Sequence, residues 1–544
     1  MSYGDQGGRG GSRGGGRGRA GGRDGEFRGG GRDGRYDGDR RRYRRGDGDR
    51  DDRGGGQRGD RRNRPQEAQR DGESRSRISP ARLVAYDVLR DVEDRDAYAN
   101  LALPARIREA RLDGRDAALA TELVSGALRQ RGRYDRIIEL AADRDVDRID
   151  TRTLNVLRLG AHQLLSMRTA DHAAVNESVE LQRRVGNRSA AGFVNGVLRT
   201  IGRTSSEEWD ERIAETSKSA DDSTATRTSH PVWVLRALRD ALRSEGRADE
   251  LDALLAADNV PPLVSLALMP GSDIDAETAE ALSIDTRREE ALLTAVGPSP
   301  IGLELAGGDP LRAIDLLELP EGSARVQDQG SQLAALALSR AREISPGERW
   351  LDLCAGPGGK TAVLAAEAAL GGASLRANEV SDHRAGLVRQ AVEANDGVVE
   401  VVSHDGREEA AYASEQFDRI LVDAPCSGLG ALRRRPEARW RKRPTDLPAL
   451  TALQEELLDA AANHLAPGGL LAYVTCSPHL AETKVPVGRL LKGHAELRQL
   501  DAKAILNRVA RGPLDLAGDA LSAQLWPHRH GTDAMFVALF ERVG

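Results

Sequence analysis

The chain has 544 residues, a formal net charge of −6, 39% hydrophobic residues and three cysteines. This length predicts about three or four domains. The sequence contains no apolar run near the ~18 residues of a membrane span and no hydrophobic signal core at its N-terminus. Three cysteines, all beyond residue 350, do not form a disulfide framework. We therefore expect a soluble protein of the cytoplasm.

Residues 1–77 differ from the remainder of the chain in composition and charge. They contain 22 arginines against 14 acidic residues, a net charge of +8, which leaves −14 for the other residues. Aliphatic side chains are almost absent, so this Arg/Gly-rich arm is predicted to be disordered. Arg40–Arg45 surrounds one tyrosine with five arginines, as RNA-binding segments do. A tail that only increases solubility is the alternative.

An all-helical domain is predicted from residue 78 to residue 203. Ser79 is a candidate N-cap, and Pro80 occupies the first helical position. Apolar residues then recur at helical spacing as far as Leu181, without strand-like alternation, which predicts a helical bundle. The segment Ala190–Arg199 resembles the end of the NusB-type RNA-binding domain. A helical dimerisation domain is the alternative interpretation.

The next two regions are predicted from composition and periodicity. Residues 204–229 are rich in Ser, Thr, Asp and Glu, which is typical of a linker. Residues 230–319 begin with a helical pattern over Val232–Leu255 and continue with a strand over Leu263–Leu268. We expect a small α+β subdomain there, followed by a catalytic α/β domain over 320–544.

A glycine-rich stretch, LDLCAGPGGKT at residues 351–361, organises the catalytic domain. It joins a predicted strand to a helix predicted over Thr361–Ala369, as in nucleotide-binding crossovers. The last three residues also fit a phosphate-binding P-loop. That motif, however, requires a glycine six positions before the lysine, and Cys354 stands six positions before Lys360.

Strand and helix signals alternate after this loop, which predicts a doubly wound sheet. Strands are predicted at Trp350–Cys354, Ser374–Val380, Val398–Val402, Phe417–Val422 and Leu470–Val474. Glu379, Asp405 and Asp423 stand at or just beyond strand ends, where such sheets bind ligands. A nicotinamide-dependent enzyme would share these features, but it would not explain Cys426 and Cys476, which each follow a strand at the same edge.

Three motifs in order carry a family resemblance: LDLCAGPGGKT, VDAPCSG at 422–428 and YVTCS at 473–477. They resemble the RNA 5-methylcytosine methyltransferases that use S-adenosylmethionine. Together with the helical front domain, they resemble the small-subunit ribosomal RNA methyltransferase family RsmB, also called Sun or Fmu, over residues 79–544. One departure is Asp533-Ala534-Met535-Phe536, where the family more often has Asp-Gly-Phe-Phe.

The resemblance implies a Rossmann-like class I methyltransferase domain preceded by a NusB-like bundle. It implies that the enzyme transfers a methyl group from S-adenosyl-L-methionine to carbon 5 of a cytosine in RNA, in particular 16S ribosomal RNA. Cys476 is then the nucleophile and Cys426 assists its release. The reverse assignment stays open, because DNA cytosine methyltransferases use a Pro-Cys nucleophile.

The resemblance also implies a cofactor-binding set. Asp423 would hold the cytosine edge and approach the cofactor, and Lys360 would lie near the reacting base. Glu379 would accept from the ribose hydroxyls and Asp405 from the adenine amine. The residues expected to line the methionine and ribose are Cys354, Ala355, Gly356, Pro357, Gly358, Gly359 and Lys360, with Cys354 acting as a packing residue.

Three other interpretations remain open from the sequence. The substrate could instead be transfer RNA or protein, or the chain could be a non-catalytic RNA-binding assembly factor. Arg433, Arg434 and Arg435 could hold RNA phosphates or form a solvated turn. We expect no metal at His528 and His530, because two histidines without a matched Cys or Asp set do not make a site. The sequence does not predict the oligomeric state.

Overall fold

The structure is a computed structural model that describes residues 78–272, 293–295, 297–305, 307, 310–316, 318–412 and 415–544. The arm predicted over residues 1–77 lies outside these ranges. Within them, no helix combines the length and the apolar character that a membrane span requires.

The front of the described chain is helical, which confirms the predicted bundle. Its helices are α1 (Pro80–Asp94), α2 (Ala99–Ala110), α3 (Gly114–Arg129), α4 (Arg131–Ala142), α5 (Thr151–Leu165), α6 (Asp171–Val185) and α7 (Ala191–Gly202). Pro80 opens α1, as the sequence predicts. The apolar faces of these helices meet in one core that includes Val88, Leu123, Ile137 and Leu157.

The segment predicted as a linker, 204–229, is largely helical instead. It contains α8 (Ser206–Thr216) and α9 (Ala220–Arg227). Its many Ser, Asp and Glu residues suggest a linker, but several of them are helix caps: Ser205 forms a capping box with Glu208, and Ser219 caps α9. Trp209 then buries its ring in the core of the bundle.

Residues 230–326 contain two helices that pack against the catalytic domain and four strands that form a separate small sheet. They contain α10 (Val232–Arg243), α11 (Leu251–Ala257), β1 (Val264–Leu268), β2 (Leu293–Ala295), β3 (Gly302–Leu305), α12 (Pro310–Leu316) and β4 (Ala324–Val326). The strands form a small sheet in the order β2-β3-β1-β4. Both α10 and α11 share a core with Leu429 and Trp526 of the catalytic domain. The small sheet also uses β4, which lies beyond the boundary predicted at residue 319.

The catalytic domain is built on a mixed eight-stranded sheet. Its elements are α13 (Gln329–Ser339), β5 (Arg349–Asp352), α14 (Gly359–Gly371), β6 (Ser374–Asn378), α15 (Asp382–Ala391), β7 (Val399–Val402), α16 (Glu409–Tyr412), β8 (Phe417–Asp423), α17 (Ala438–Arg441), α18 (Leu447–Asn463), β9 (Leu465–Thr475), α19 (Lys484–Gly493), β10 (Leu497–Leu500), α20 (Ala502–Val509), β11 (Ala523–Gln524), α21 (Pro527–His530) and β12 (Phe536–Arg542). The strand order is β10-β12-β9-β8-β5-β6-β7, with β11 paired to β12.

Helices cover both faces of this sheet, because side chains alternate between two cores. Along β9, Ala472 and Val474 pack with α13, α14 and α20, whereas Leu471 and Tyr473 pack with α18 and α19. The strands β5 to β9 pair in parallel, while β12 is antiparallel to both of its main neighbours. This confirms the predicted Rossmann-like fold and brings the carboxyl ends of five strands to one edge.

Candidate active site

The glycine loop between β5 and α14 closely approaches neighbouring chain segments. Gly358 has a φ of +101°, and a Cβ there would lie 2.5 Å from Ala391. A Cβ on Gly356 would lie 2.2 Å from the Glu379 carboxylate. Larger residues at these two positions would therefore clash. Cys354 packs against the apolar core on the α18 side, and burial raises the pKa of its thiol well above the usual value.

Two carboxylates predicted to hold the cofactor lie at the ends of β6 and β7. The buried Glu379 accepts hydrogen bonds from the backbone N–H of Gly356 at 3.1 Å and of Ser381 at 3.0 Å. Asp405 accepts from Arg407 Nε at 2.9 Å and Nη2 at 2.5 Å. These hydrogen bonds from Arg407 lower the pKa of Asp405 to about 2. Both groups therefore act as hydrogen-bond acceptors at the same sheet edge.

The two predicted cysteines meet beyond adjacent strands. Cys426 follows β8 and Cys476 follows β9, and Asp423 pairs in register with Val474. The two sulfur atoms are 3.4 Å apart, although 50 residues separate them in sequence. Gly430 allows this approach, since its N–H donates to the Cys476 carbonyl at 2.9 Å and a Cβ would collide with the backbone of Ala534.

An ion pair between Lys360 and Asp423 lies beside the cysteines. Lys360 Nζ is 2.8 Å from Asp423 Oδ2. Burial acts to lower the pKa of Lys360, but the charge of Asp423, the hydrogen bond to it and the charges of Cys476 and Asp352 together raise it more, so the net shift is upward. The ammonium group therefore stays protonated.

The pKa values of the cysteine pair shift in opposite directions. The hydrogen bond from Cys426 lowers the pKa of Cys476, and the positive charges of Lys360 and Arg435 add to this effect. The pKa of Cys426 is raised well above its usual value by the same hydrogen bond, by burial, by the charge of Cys476 and, less strongly, by the charge of Glu482. A lowered thiol pKa, as at Cys476, favours the thiolate form that a nucleophile requires.

Sequence reasoning did not identify two buried carboxylates at this site. Asp352, at the end of β5, accepts from Thr361 Oγ1 at 2.7 Å, and burial raises its pKa to about 7. Glu482 accepts from both serines that follow the cysteines, Ser427 and Ser477. Asp352 could have been identified from its position in an otherwise apolar strand. No local sequence pattern identifies Glu482.

The predicted phosphate-binding arginines are held in different ways. Arg434 pairs with Asp328 at 2.7 Å and with Asp533 at 3.2 Å, and Arg433 donates to a backbone carbonyl at 2.9 Å. Internal acceptors hold these two side chains, so they do not form a solvated turn. Arg435 is exposed, and its guanidinium carbon lies 5.2 Å from the centre of the Tyr98 ring.

The histidines near Trp526 have acidic and backbone partners. His528 Nε2 lies 2.9 Å from Glu250 Oε2, and His530 Nδ1 accepts from the Trp526 N–H at 2.8 Å. Across the part of the chain that the structure describes, no group of three or more His, Cys, Asp or Glu residues has a metal-binding arrangement.

Comparison with known proteins gives two family matches. The model described as 16S rRNA methyltransferase RsmB/F matches residues 340–541, and that of the NusB family matches residues 79–203. The crystal structure of PH0851 has a TM-score of 0.69 to this chain at 21% identity, over 86% of this chain and 99% of that one. This likeness shows a shared fold.

Relatives from several bacteria align over most of their length. "Putative methyltransferase Rv1407" of Mycobacterium tuberculosis is 45% identical over 473 residues, covering 87% of this chain and 98% of the relative. Ribosomal RNA small subunit methyltransferase B of Pseudomonas putida is 32% identical over 426 residues, covering 77% and 91%. The Escherichia coli protein of the same name is 30% identical over 415 residues, covering 76% and 90%. The chain therefore belongs to the RsmB family of small-subunit ribosomal RNA methyltransferases.

Proposed function

We propose that this enzyme methylates carbon 5 of a cytosine in 16S ribosomal RNA through a covalent adduct on Cys476. The observation that carries this proposal is the 3.4 Å contact between Cys426 and Cys476, beside the ion pair of Lys360 and Asp423. A substrate of this kind would place the enzyme in the cytoplasm.

The cysteine is needed because carbon 5 of cytosine is a weak nucleophile. The Cys476 thiolate adds to carbon 6, and the electron pair of the 5,6 double bond becomes available at carbon 5. After carbon 5 is methylated, a base removes its proton, the double bond re-forms and the bond between Cys476 and carbon 6 breaks. Asp423 would hold the cytosine edge and favour a proton at ring nitrogen 3, which eases the attack.

Cys426 would assist the release step. Its pKa is raised, first by the hydrogen bond with Cys476, so it holds its proton while Cys476 attacks. When the double bond re-forms, Cys426 passes this proton across the 3.4 Å separation to the departing Cys476 sulfur. The opposite pKa shifts favour this assignment over the reverse one, in which Cys426 attacks.

The sheet edge has the groups that S-adenosyl-L-methionine requires. The cofactor supplies an electrophilic methyl group on a sulfonium. The glycine loop admits it closely, since Gly356 and Gly358 have no room for a side chain. We assign the ribose hydroxyls to Glu379 and the adenine amine to Asp405. Arg407 occupies both lone pairs of Asp405 Oδ1 but only one of Oδ2, so one acceptor position remains.

The front domain supports an RNA substrate, because residues 79–203 match the NusB family. The target base must leave its stack to reach cysteines in this setting. Tyr98 from that domain, 45% exposed, stacks under Arg435 of the catalytic domain. Arg435 also acts electrostatically on Cys476, so we assign this exposed ring and cation to the RNA-facing side of the site.

Bisulfite sequencing of total RNA from a strain lacking the gene tests this function. We expect one cytosine of 16S ribosomal RNA to lose its methyl signal, and complementation with the native gene but not with Cys476→Ala should restore it. Loss of a transfer RNA signal instead would favour the transfer RNA alternative. Restoration by Cys476→Ala would contradict the covalent mechanism.

A further inference from the structure

One buried carboxylate connects the two cysteine loops. Glu482, 0% exposed, lies in the turn between β9 and α19. Its Oε1 accepts from the backbone N–H of Ser427 at 2.7 Å, and its Oε2 accepts from the hydroxyls of Ser427 at 2.5 Å and Ser477 at 2.7 Å. These serines directly follow Cys426 and Cys476. The same carboxylate therefore fixes the neighbour of each sulfur.

The surrounding elements hold Glu482 itself in place. Gln454, on α18, donates to Glu482 Oε1 at 3.3 Å and to the carbonyl of Pro425 at 2.8 Å. Tyr473, on β9, donates its hydroxyl proton to the Glu482 carbonyl at 2.7 Å. Both contacts reach back to the segments that carry the cysteines, so the arrangement is braced from a helix and from the sheet.

Hydrogen-bond donors surround the side-chain carboxylate of Glu482. A carboxylate offers about four lone-pair positions. The Ser427 N–H, two serine hydroxyls and the Gln454 amide are all directed at its two oxygens, so the donors match these lone-pair positions in number. Among the residues that the structure describes, no arginine, lysine or histidine forms an ion pair with it. Its negative charge therefore acts on its surroundings.

The charges around the cysteines are asymmetric. Asp423 disfavours a negative charge on Cys476, but Lys360 and Arg435 favour one there. Glu482 disfavours one on Cys426, and no cation among the described residues is a cause of the pKa shift of Cys426. The ionisable groups that interact electrostatically with the sulfur pair or with Glu482 are Lys360, Asp423, Arg435, Tyr473, His479 and Glu482. Among them, Glu482 is the carboxylate hydrogen-bonded to both cysteine loops.

We propose that Glu482 is a positioning residue that keeps the two cysteines in contact and the proton of the pair on Cys426. This inference rests on the cysteine chemistry proposed above. With the proton on Cys426, the thiolate forms on Cys476, where the attack on cytosine starts. A brace that merely holds the loops would give the same contacts without depending on charge. Comparing Glu482→Gln with a variant that keeps the carboxylate but loses the serine hydroxyls separates these two roles.

Thiol alkylation by iodoacetamide across a pH series measures the position of the proton. The full-length protein is alkylated without RNA, and mass spectrometry quantifies Cys426 and Cys476 separately. In the native enzyme we expect Cys476 to react at the lower pH. In Glu482→Gln the loss of charge should let Cys426 react at lower pH, and the ratio of Cys476 to Cys426 alkylation should fall about tenfold, one unit of pKa.

Glu455→Gln is the matched control, because Glu455 pairs with Arg489 on the surface of α18. It should leave the alkylation ratio unchanged. In methylation assays, Glu482→Gln should lower kcat about ten- to a hundredfold, as expected when hydrogen bonds to a charged group are lost. The KM values for RNA and methyl donor should stay the same, and Glu482→Asp should restore part of kcat.

Substitution of the two serines tests the link between Glu482 and the cysteine loops without changing Glu482, and it applies even where Glu482→Gln does not fold. Ser427→Ala combined with Ser477→Ala removes both hydroxyl links but keeps the carboxylate, so kcat should fall while the alkylation ratio stays close to native. An unchanged ratio in folded Glu482→Gln, or an unchanged kcat in the double serine variant, overturns the proposal. Because alkylation requires no RNA, a shifted ratio without cytosine methylation would count against the proposed function and not against Glu482.

Discussion

The two ends of the sheet edge hold their acidic groups in different ways. At the cysteine end, beyond β8 and β9, neutral donors surround the fully buried Glu482. At the end proposed to bind the cofactor, the cofactor end, beyond β6 and β7, Glu379 and Asp405 pair with Arg384 and Arg407, whose side chains are 47% and 44% exposed.

This difference predicts a rigid arrangement at the cysteine end and contacts that a ligand can replace at the cofactor end. Water screens the exposed arginine of each pair, so a ligand can replace its contacts at a lower cost than those of a fully buried group. A buried network with every donor matched resists rearrangement, because breaking it leaves polar groups without partners. The cofactor end is therefore suited to binding and release, and the cysteine end to fixed reaction geometry.

The strongest test of the cysteine end separates its two sulfurs. Cys476→Ala should abolish methylation and form no covalent RNA adduct, because the attacking thiolate is lost. Cys426→Ala should still attack and transfer the methyl group, then stall before release. Denaturing electrophoresis with labelled RNA would show a protein–RNA band for Cys426→Ala alone.

The same gel provides its own control. The variant that combines Cys426→Ala with Cys476→Ala should give no protein–RNA band, which would show that the adduct in Cys426→Ala depends on Cys476. A band from Cys476→Ala together with none from Cys426→Ala would reverse the assigned roles. Full activity of both single variants would exclude the thiolate mechanism, and the cysteine end would then have no assigned role in the reaction.

The two ends also differed in how far the sequence could predict them. The glycine loop, the strand-end acids and both cysteines lie within short motifs, so their shared edge follows from strand order alone. Glu482 could not be found this way, since its partners Ser427 and Gln454 are far away in the chain and meet it only after folding. The antiparallel β12 was missed as well, although its apolar run is the one that completes the sheet beside β9.

Arginine was the residue type that sequence reasoning placed least well. Arg434 looked free for phosphate because the pairing acids, Asp328 and Asp533, are 106 and 99 residues away. The predicted linker failed for a related reason. Helix caps and loops use the same polar residues, and α8 places only Trp209 and Ile213 in the core, too few for a clear helical pattern.

At the cofactor end, removing either carboxylate should weaken binding without unfolding the protein. We expect Glu379→Ala and Asp405→Ala each to raise the Kd for S-adenosylmethionine about ten- to a hundredfold, through loss of a hydrogen bond to a charged acceptor. Isothermal calorimetry measures the affinity and circular dichroism the fold. Asp382→Ala, at the start of α15, is the control. Native affinity in both variants would contradict the assignment.

The pH dependence of the reaction should follow the opposite shifts of the two thiols. Attack requires Cys476 without its proton, and its pKa is lowered, first by the hydrogen bond from Cys426. The single-turnover rate should therefore rise with pH below the ordinary thiol pKa of about 8.5. Release of the methylated product should slow only above that value, where Cys426 loses its proton. Lys360→Gln removes a cation beside Cys476 and should move the rising limb to higher pH; an unmoved limb would exclude Lys360 from this role.

The smallest expected effect concerns two neighbouring arginines in one loop, Arg434, which has internal partners, and Arg435, which is exposed. Arg435→Gln removes the exposed cation above Tyr98, and we expect RNA binding to weaken while the slope of log Kd against log salt falls by about 1. Arg434→Gln should leave that slope unchanged and instead lower the free energy of unfolding by about 1–3 kcal/mol, because the buried Asp328 and Asp533 lose their partner. Filter binding over a salt series and urea denaturation measure the two quantities. Equal salt slopes for both variants would show that the exposed arginine does not contact phosphate.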